Sequence, residues 1–412
     1  MNIVYIFSNN WLPYVAVQLA GLAEHNAMPL RIFLVCDGLA PWERDFLDHV
    51  LENRAAEQTV TIEVINAYAV YQARVKSDIN VTPSFTRFTL YRLLLPSLLP
   101  ASVDKVLYLD ADTLVCGSLE RLYANDLKGR LVAAVVDEGA IERKRQLGFE
   151  ETEGYFNAGV LLLNLAEIRA ADLESRWLRM VNETQYIWPD QDILNITCKG
   201  AISWLPAEFN RFGAESPHSK DTIIHYIVQK PWRNHTVPRY ADWQKARNEY
   251  DNRFLRIPKI LHVIEIEGVF QHARVLENRE RNMSLLDDFE LHIHCLSKNR
   301  IRENNSWSET FRGKRFDELR HDAARQFIKR NGGVFLDDRI VLSQALDPLL
   351  RFDNFHFAVS GKSSLCCFGG IAAASRTAPE ETYEPTEAEC QRYAPNWVRL
   401  PLAWRISQFF RL

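Results

Sequence analysis

The sequence predicts an α/β protein, with a first domain on a mostly parallel, twisted sheet and a smaller α/β domain behind it. Three observations carry that expectation. Short apolar runs alternate with helical patterns over residues 3–98, as in a parallel sheet covered on both faces. One later run, residues 106–109, ends abruptly in two carboxylates, Asp110 and Asp112. A new strand pattern then starts at Ile257, after the charged stretch 244–253, which divides the chain into residues 1–252 and 253–412.

Residues 3–7 form the first expected strand, stopped by Ser8-Asn9-Asn10. The segment lacks a basic lead, so it reads as a strand and not as a secretory leader. Pro13 opens a helix with Val15, Leu19 and Leu22 on one face, because proline is tolerated in a first turn. Residues 30–35 and 60–64 are the second and third strands, and helical patterns cover 41–51 and 85–98. The chain has no Gly-x-Gly-x-x-Gly and no Gly-Lys-Ser/Thr loop, so neither a dinucleotide site nor a P-loop is supported. Asn10 offers an amide and Trp11 a flat ring for a base at the end of the first strand, or else the segment caps a helix around a buried Trp.

The run at 106–109 reads as a buried central strand. In open α/β sheets, ligands sit at the carboxyl ends of the strands. Two acids there are costly unless something positive neutralises them. A divalent cation carrying a phosphate ligand satisfies both, since hard oxygen ligands suit such ions. A solvated turn is the plainer alternative. Arg92 precedes this strand, and an Arg near an anionic ligand commonly pairs with it. Asn157-Ala158-Gly159 opens the apolar run 160–163, where small residues leave room for a close approach. Asp190 in Asp190-Gln191-Asp192 reads as the N-cap of a following helix. His225 follows a short β-prone run, with Lys230 five residues on.

The chain is 47% hydrophobic and 25% charged, with a formal net charge of -4. A surface that tracks nucleic-acid phosphates normally makes a domain basic, so nucleic acid is not the expected partner. Seven cysteines, an odd number with no Cys-x-x-Cys, point to neither a disulfide framework nor a zinc site, and to a reducing cytoplasm. No run approaches the ~18 apolar residues of a membrane span.

Four motifs occur in a fixed order: residues 104–115 around Asp110-Ala111-Asp112, Tyr155-Phe-Asn-Ala-Gly, Asp190-Gln-Asp, and His225 with Lys230-Pro-Trp232. Over residues 1–250 the chain resembles the family 8 glycosyltransferases, above all the galactosyl- and glucosyltransferases of bacterial lipopolysaccharide. The resemblance implies a GT-A-like nucleotide-binding fold and a retaining, metal-dependent transfer of hexose from a UDP-sugar to a glycan or glycolipid acceptor. It implies Asp110, Asp112 and His225 as ligands of Mn2+ or Mg2+, with Ala111 between the acids. It places Ser8, Asn10 and Trp11 on the uridine, where the family has an acid at the position of Ser8. Arg92, Asn157 and Ala158 then meet the donor sugar, Lys230 a phosphate, and Gln191, Asp190 and Asp192 the reacting centre.

The second domain resembles a family 32-like glycosyltransferase region over residues 257–350, with a helix, a Gly332-Gly333 stop and a strand ending at Asp337-Asp338. Arg339 stands where that motif has its second acid, so a shortened domain for acceptor, partner or membrane contact is expected, with a second active transferase as the alternative. The tail 397–412 mixes Trp, Phe and Leu with Arg, which suits either contact with a membrane surface on the cytoplasmic side or a packed C-terminal helix. A metal-dependent phosphohydrolase and a non-catalytic glycan-binding protein are the rival functions.

Overall fold

The computed structural model describes residues 1–52, 59–212, 221–266, 280–283, 285–296, 328, 331–336, 341–342, 346–350, 354–358, 370–374 and 410–411. The chain divides into two compact units, Met1–Ala246 and Arg247–Leu412.

In the first unit the strands are β1 (Asn2–Ile6), β2 (Leu30–Cys36), β3 (Val60–Asn66), β4 (Lys105–Asp110), β5 (Thr113–Val115), β6 (Val132–Val136), β7 (Phe156–Asn164), β8 (Ile202–Trp204) and β9 (Ile223–His225). Seven of them make one sheet in the order β3-β2-β1-β4-β7-β6-β8. β3, β2, β1 and β4 run parallel, and β7 is antiparallel to both β4 and β6. β4 therefore lies in the middle of the sheet. Val106, Leu107 and Leu109 have no exposed surface, which is why that strand is a continuous apolar run and not an alternating one. The helix Leu12–His25 buries Val15, Leu19 and Leu22 completely, with Pro13 in its first turn. The expected helix over 85–98 is broken into Arg87–Tyr91, a 3-10 turn Arg92–Leu94 and Leu95–Leu98. Pro96 has no N–H to continue the ladder, and its ring crowds the turn before it.

β5 and β9 form a separate antiparallel ribbon that pairs Thr113 with His225. This ribbon decides the site. It folds residue 225 back against the two residues that follow the central strand.

The second unit contains β10 (Ile260–Ile266), β11 (Glu290–Leu296), β12 (Gly333–Leu336), β13 (Val341–Leu342), β14 (Asn354–Ala358), β15 (Gly370–Ala374) and β16 (Phe410–Arg411). Its main sheet has the order β11-β10-β12-β15-β14, parallel across β11, β10 and β12 and antiparallel across β12, β15 and β14. The first unit runs β2-β1-β4-β7-β6 with the same succession of parallel and antiparallel neighbours. Asp337, Asp338 and Arg339, and all of 397–412 except 410–411, lie outside the described residues. Among the described residues no helix is long and apolar enough to cross a membrane, and Cys36, Cys116 and Cys198 are free thiols.

Candidate active site

β4 ends at Asp110, and the chain turns at once into β5. Thr113 Oγ1 donates to the Asp110 carbonyl at 2.8 Å, and the buried Gln18 amide, from the first helix, donates to the Ala111 carbonyl. The Tyr226 N–H donates to the Asp112 carbonyl at 3.0 Å across the ribbon. These bonds bring Asp110, Asp112 and His225 together, with one ligand atom from each within 4.8 Å of the others. His225 Nε2 lies 3.6 Å from Asp110 Oδ2 and 3.3 Å from Asp112 Oδ1.

A chain of amides sets the tautomer of His225. The Gly159 N–H donates to Asn157 Oδ1 at 3.0 Å, and Asn210 Nδ2 donates to the same oxygen at 2.9 Å. Asn210 Oδ1 then faces His225 Nδ1 at 3.0 Å. An amide oxygen only accepts, so Nδ1 carries a proton, and Nε2 is the nitrogen that faces the carboxylates and would serve a cation as ligand. Metal-binding histidines are oriented in this way, through a partner on the far nitrogen. Gly159 is required by the packing: a Cβ there would stand 2.1 Å from His225 Cε1. Two carboxylates and one neutral imidazole nitrogen fit a hard or borderline divalent cation such as Mn2+ or Mg2+.

Two cations attend the acids. Lys230 pairs with Asp112 Oδ2 and donates to the Tyr226 carbonyl at 2.6 Å. Burial by itself raises the Asp112 carboxyl, but His225 and Lys230 outweigh it and hold the group well below the usual carboxylate range. Arg92, 6% exposed, donates to Asp110 Oδ1 at 2.6 Å, to the Tyr108 hydroxyl at 2.6 Å and to the Ala158 carbonyl at 2.8 Å, and pairs with Asp190. Burial disfavours its charge, yet Asp110 and Asp190 together keep it firmly protonated.

Two readings change here. The helix is Pro189–Cys198 with Trp188 at its N-cap, so Asp190 is the second helical residue and not the cap. Its carboxylate has turned inward onto Arg92, an ion pair in place of an exposed cap. Asp192 has no exposed surface. Its oxygens accept from Arg143 Nε at 2.9 and 3.0 Å, from the Tyr155 hydroxyl at 2.6 Å and from the Trp188 N–H at 3.0 Å. A carboxylate so engaged fastens the helix start and presents nothing to a substrate. Gln191, between the two, is half-buried. Its Oε1 accepts from the Ala158 N–H at 2.9 Å, and its Nε2 donates to Asp137 Oδ2 at 3.2 Å.

Asp137 was not singled out in the sequence, though the signal was there. It follows the apolar run of β6 as Asp110 closes that of β4, and burial raises its carboxyl above the usual range. Asn210 and Gln18 carried no such signal, because nothing local marks an amide as the partner of a distant histidine.

The segment after β1 lies beside this cluster, since Ile6 pairs with Asp110. The Ser8 hydroxyl donates to Asn10 Oδ1, and Asn10 is exposed. Trp11 is half-buried, edge-on to Trp232 with ring centroids 5.4 Å apart. Trp11 and the Lys230-Pro-Trp232 motif are thereby neighbours. Asn9 donates to the Gly38 carbonyl at 3.0 Å and to Glu43 Oε2 at 2.9 Å. A cleft of about 200 Å3 opens beside His225, with Phe212, Ile224, Val228 and Arg239 among its walls.

A mixed α/β sheet with an Asp-x-Asp at the end of its central strand, folded onto a later histidine, defines a glycosyltransferase of the GT-A class. Residues 2–236 match the family described as "Glycosyl transferase family 8", and the chain belongs to that family. The chain is similar to the lipopolysaccharide 1,2-glucosyltransferase of Escherichia coli (strain K12), 26% identical over 262 residues, 58% of this chain and 74% of that one. It is also similar to the lipopolysaccharide 1,3-galactosyltransferase of Salmonella typhimurium, 28% identical over 287 residues, 63% of this chain and 82% of that one. Among solved structures, the apo form of the WbbM bifunctional glycosyltransferase shares the fold with a TM-score of 0.52 at 20% identity, over 61% of this chain and 51% of that one. The chain spans about half the length of that solved protein.

Proposed function

We propose that the first unit transfers galactose or glucose from a UDP-sugar, with retention at the anomeric carbon, to a glycan or glycolipid of the bacterial envelope. The observation that carries the reading is the convergence of Asp110, Asp112 and a tautomer-fixed His225 on one point, flanked by Arg92 and Lys230. These three side chains would hold Mn2+ or Mg2+. When bound, the ion supplies Lewis-acid stabilisation of the departing diphosphate, an effect worth several kcal/mol.

The chain's own groups do the rest. Trp11 gives the uracil a face, while Ser8 and Asn10 give it hydrogen-bonding groups. Lys230, paired with Asp112, is the cation that would meet a donor phosphate. Arg92 holds Asp110 and Asp190 in place, beside a sugar lying against Asn157 and Ala158. Gln191 sits with Asp137 and Asp190 where positive charge develops on the sugar, and fixed dipoles there cost no reorganisation during the reaction. The acceptor oxygen bonds to the anomeric carbon as the bond to the diphosphate oxygen breaks, and its proton passes to that departing diphosphate. Attack and departure on one face retain the configuration. The names of the relatives support a lipopolysaccharide acceptor. The repeated strand order supports reading the second unit as a shortened glycosyltransferase-like domain.

The test is UDP release from a panel of UDP-sugars with Mn2+, with and without envelope glycans. One UDP-hexose should be used far faster when acceptor is present. Equal release from every sugar, indifferent to acceptor, would mean a hydrolase and sink the proposal.

A further inference from the structure

We infer that the second unit carries a transition-metal site of its own, formed by His262 on β10 with His292 and His294 on β11. The three side chains lie on one face of the sheet. β10 and β11 are parallel neighbours in which His262 pairs with His292 and Ile264 with His294. Residues two apart on a strand share a face, so the imidazoles of 292 and 294 flank that of 262. One ring nitrogen from each lies within 4.8 Å of the others. The rings of His262 and His294 stack with centroids 5.2 Å apart, and His262 Nδ1 is 3.0 Å from His294 Nε2.

The outer partners prepare two of the rings as ligands. His262 Nε2 lies 2.8 Å from the Gly332 carbonyl. A carbonyl only accepts, so Nε2 carries the proton and Nδ1 turns its lone pair toward the other two rings. His292 Nε2 lies 2.7 Å from Glu290 Oε1, which leaves its Nδ1 as the lone-pair atom. A backbone carbonyl on one ring and a carboxylate on the next is the outer arrangement that orients histidines on a metal and raises their basicity.

The surface pattern agrees. On β11 the apolar Leu291 and Ile293 are 44% and 55% exposed, while the two histidines are half-buried and His262 is 1% exposed. A strand kept only for packing would turn the leucine and isoleucine inward. Three imidazoles with no carboxylate among them prefer a borderline cation to Mn2+ or Mg2+, which favour oxygen. Zn2+ with an open fourth position fits the set, and the half-buried pair leaves an approach from solvent.

The experiment uses the full chain, freed of metal, with Asp110→Asn and Asp112→Asn introduced so that the first cluster does not compete. Zn2+ is titrated calorimetrically, and Co2+ is followed by its visible d–d absorption. A single equivalent of Zn2+ should bind more tightly than Mn2+, and Co2+ should give the intense bands of a four-coordinate nitrogen site. His292→Gln and His294→Gln, both at half-buried positions, should each weaken Zn2+ binding more than about tenfold, with the far-UV circular dichroism unchanged. Glu290→Gln should weaken it by roughly 10-fold, as loss of an outer partner does. No stoichiometric Zn2+ in this background, or Zn2+ binding untouched by both histidine variants, overturns the inference and leaves the three rings as a packed, hydrogen-bonded group.

Discussion

Two Asp-x-Asp sequences lie in the first unit, Asp110-Ala111-Asp112 and Asp190-Gln191-Asp192. The first closes a strand, and the second occupies the first turn of a helix. At the strand end the chain has already begun to turn, so both carboxylates approach the same histidine. On a helix, residues two apart are separated by about 200° around the axis. Asp190 therefore reaches Arg92 while Asp192 is clasped by Arg143 and Tyr155. The same spacing gives one shared ligand site in the first case and two unrelated ion pairs in the second. A motif of paired acids is informative only together with the element that carries it.

The sharpest way to break this comparison is to neutralise each acid in turn. Asp110→Asn and Asp112→Asn should each lower sugar transfer by at least roughly 100-fold, because an amide is a poor ligand for a hard cation and several kcal/mol of leaving-group stabilisation are at stake. The melting temperature should hardly fall. Single-turnover UDP release beside circular-dichroism melts would check both. Transfer retained with normal metal dependence in both variants would remove the cluster from the chemistry.

Asp192→Asn should behave in the opposite way. It leaves the half-buried Arg143 without this counter-charge, and breaking a largely buried pair costs up to about 3 kcal/mol. Denaturant melts should show that loss, while the folded enzyme keeps its turnover to within a few-fold. A large fall in kcat with unchanged stability would return Asp192 to the reaction. Between the two lies Gln191→Ala. Its amide is held by Ala158 and Asp137 beside the proposed sugar site, so about a tenfold loss in kcat with little change in the donor KM is expected. A rise in KM alone would place Gln191 in ground-state binding.

Much of this first unit was legible in the sequence. Continuous apolar runs mark strands buried on both faces, and an acid closing such a run marks the ligand end of the sheet. The helix over 85–98 was legible as a helix but not as three pieces, because where a ladder bends around Pro96 depends on what packs against it. The enclosure of Asp192 by Arg143 and Tyr155 was not legible, because the family motif names positions and not faces. The second unit shows the limit most clearly. Its three clustered histidines, 262 on one segment and 292 and 294 on another, are brought together only by the register of β10 and β11.

The smallest expected effect concerns a carboxylate that is the electrostatic counterpart of Asp112. Glu43 is also buried, 1% exposed, but its hydrogen-bond donors are neutral, the Ala40 N–H at 2.7 Å and Asn9 Nδ2 at 2.9 Å. With Asp112, burial is outweighed by His225 and Lys230. With Glu43, burial wins and pushes the group up to about 7. A folded-state value above the unfolded one of 4.5 means that the native protein holds more protons between those two pH values. Stability therefore falls as pH rises from about 4.5 to 7 and levels off above, where Glu43 is ionised in both states. Glu43→Gln keeps an oxygen for the same donors and has no charge to bury, so it should remove this slope. At pH 8 the variant should be more stable than the parent by up to about 2 kcal/mol, and at pH 5 the difference should largely vanish. Urea melts of both proteins at several pH values would show the two curves converging toward acid. Parallel curves would mean that solvent reaches Glu43 and that burial does not govern it.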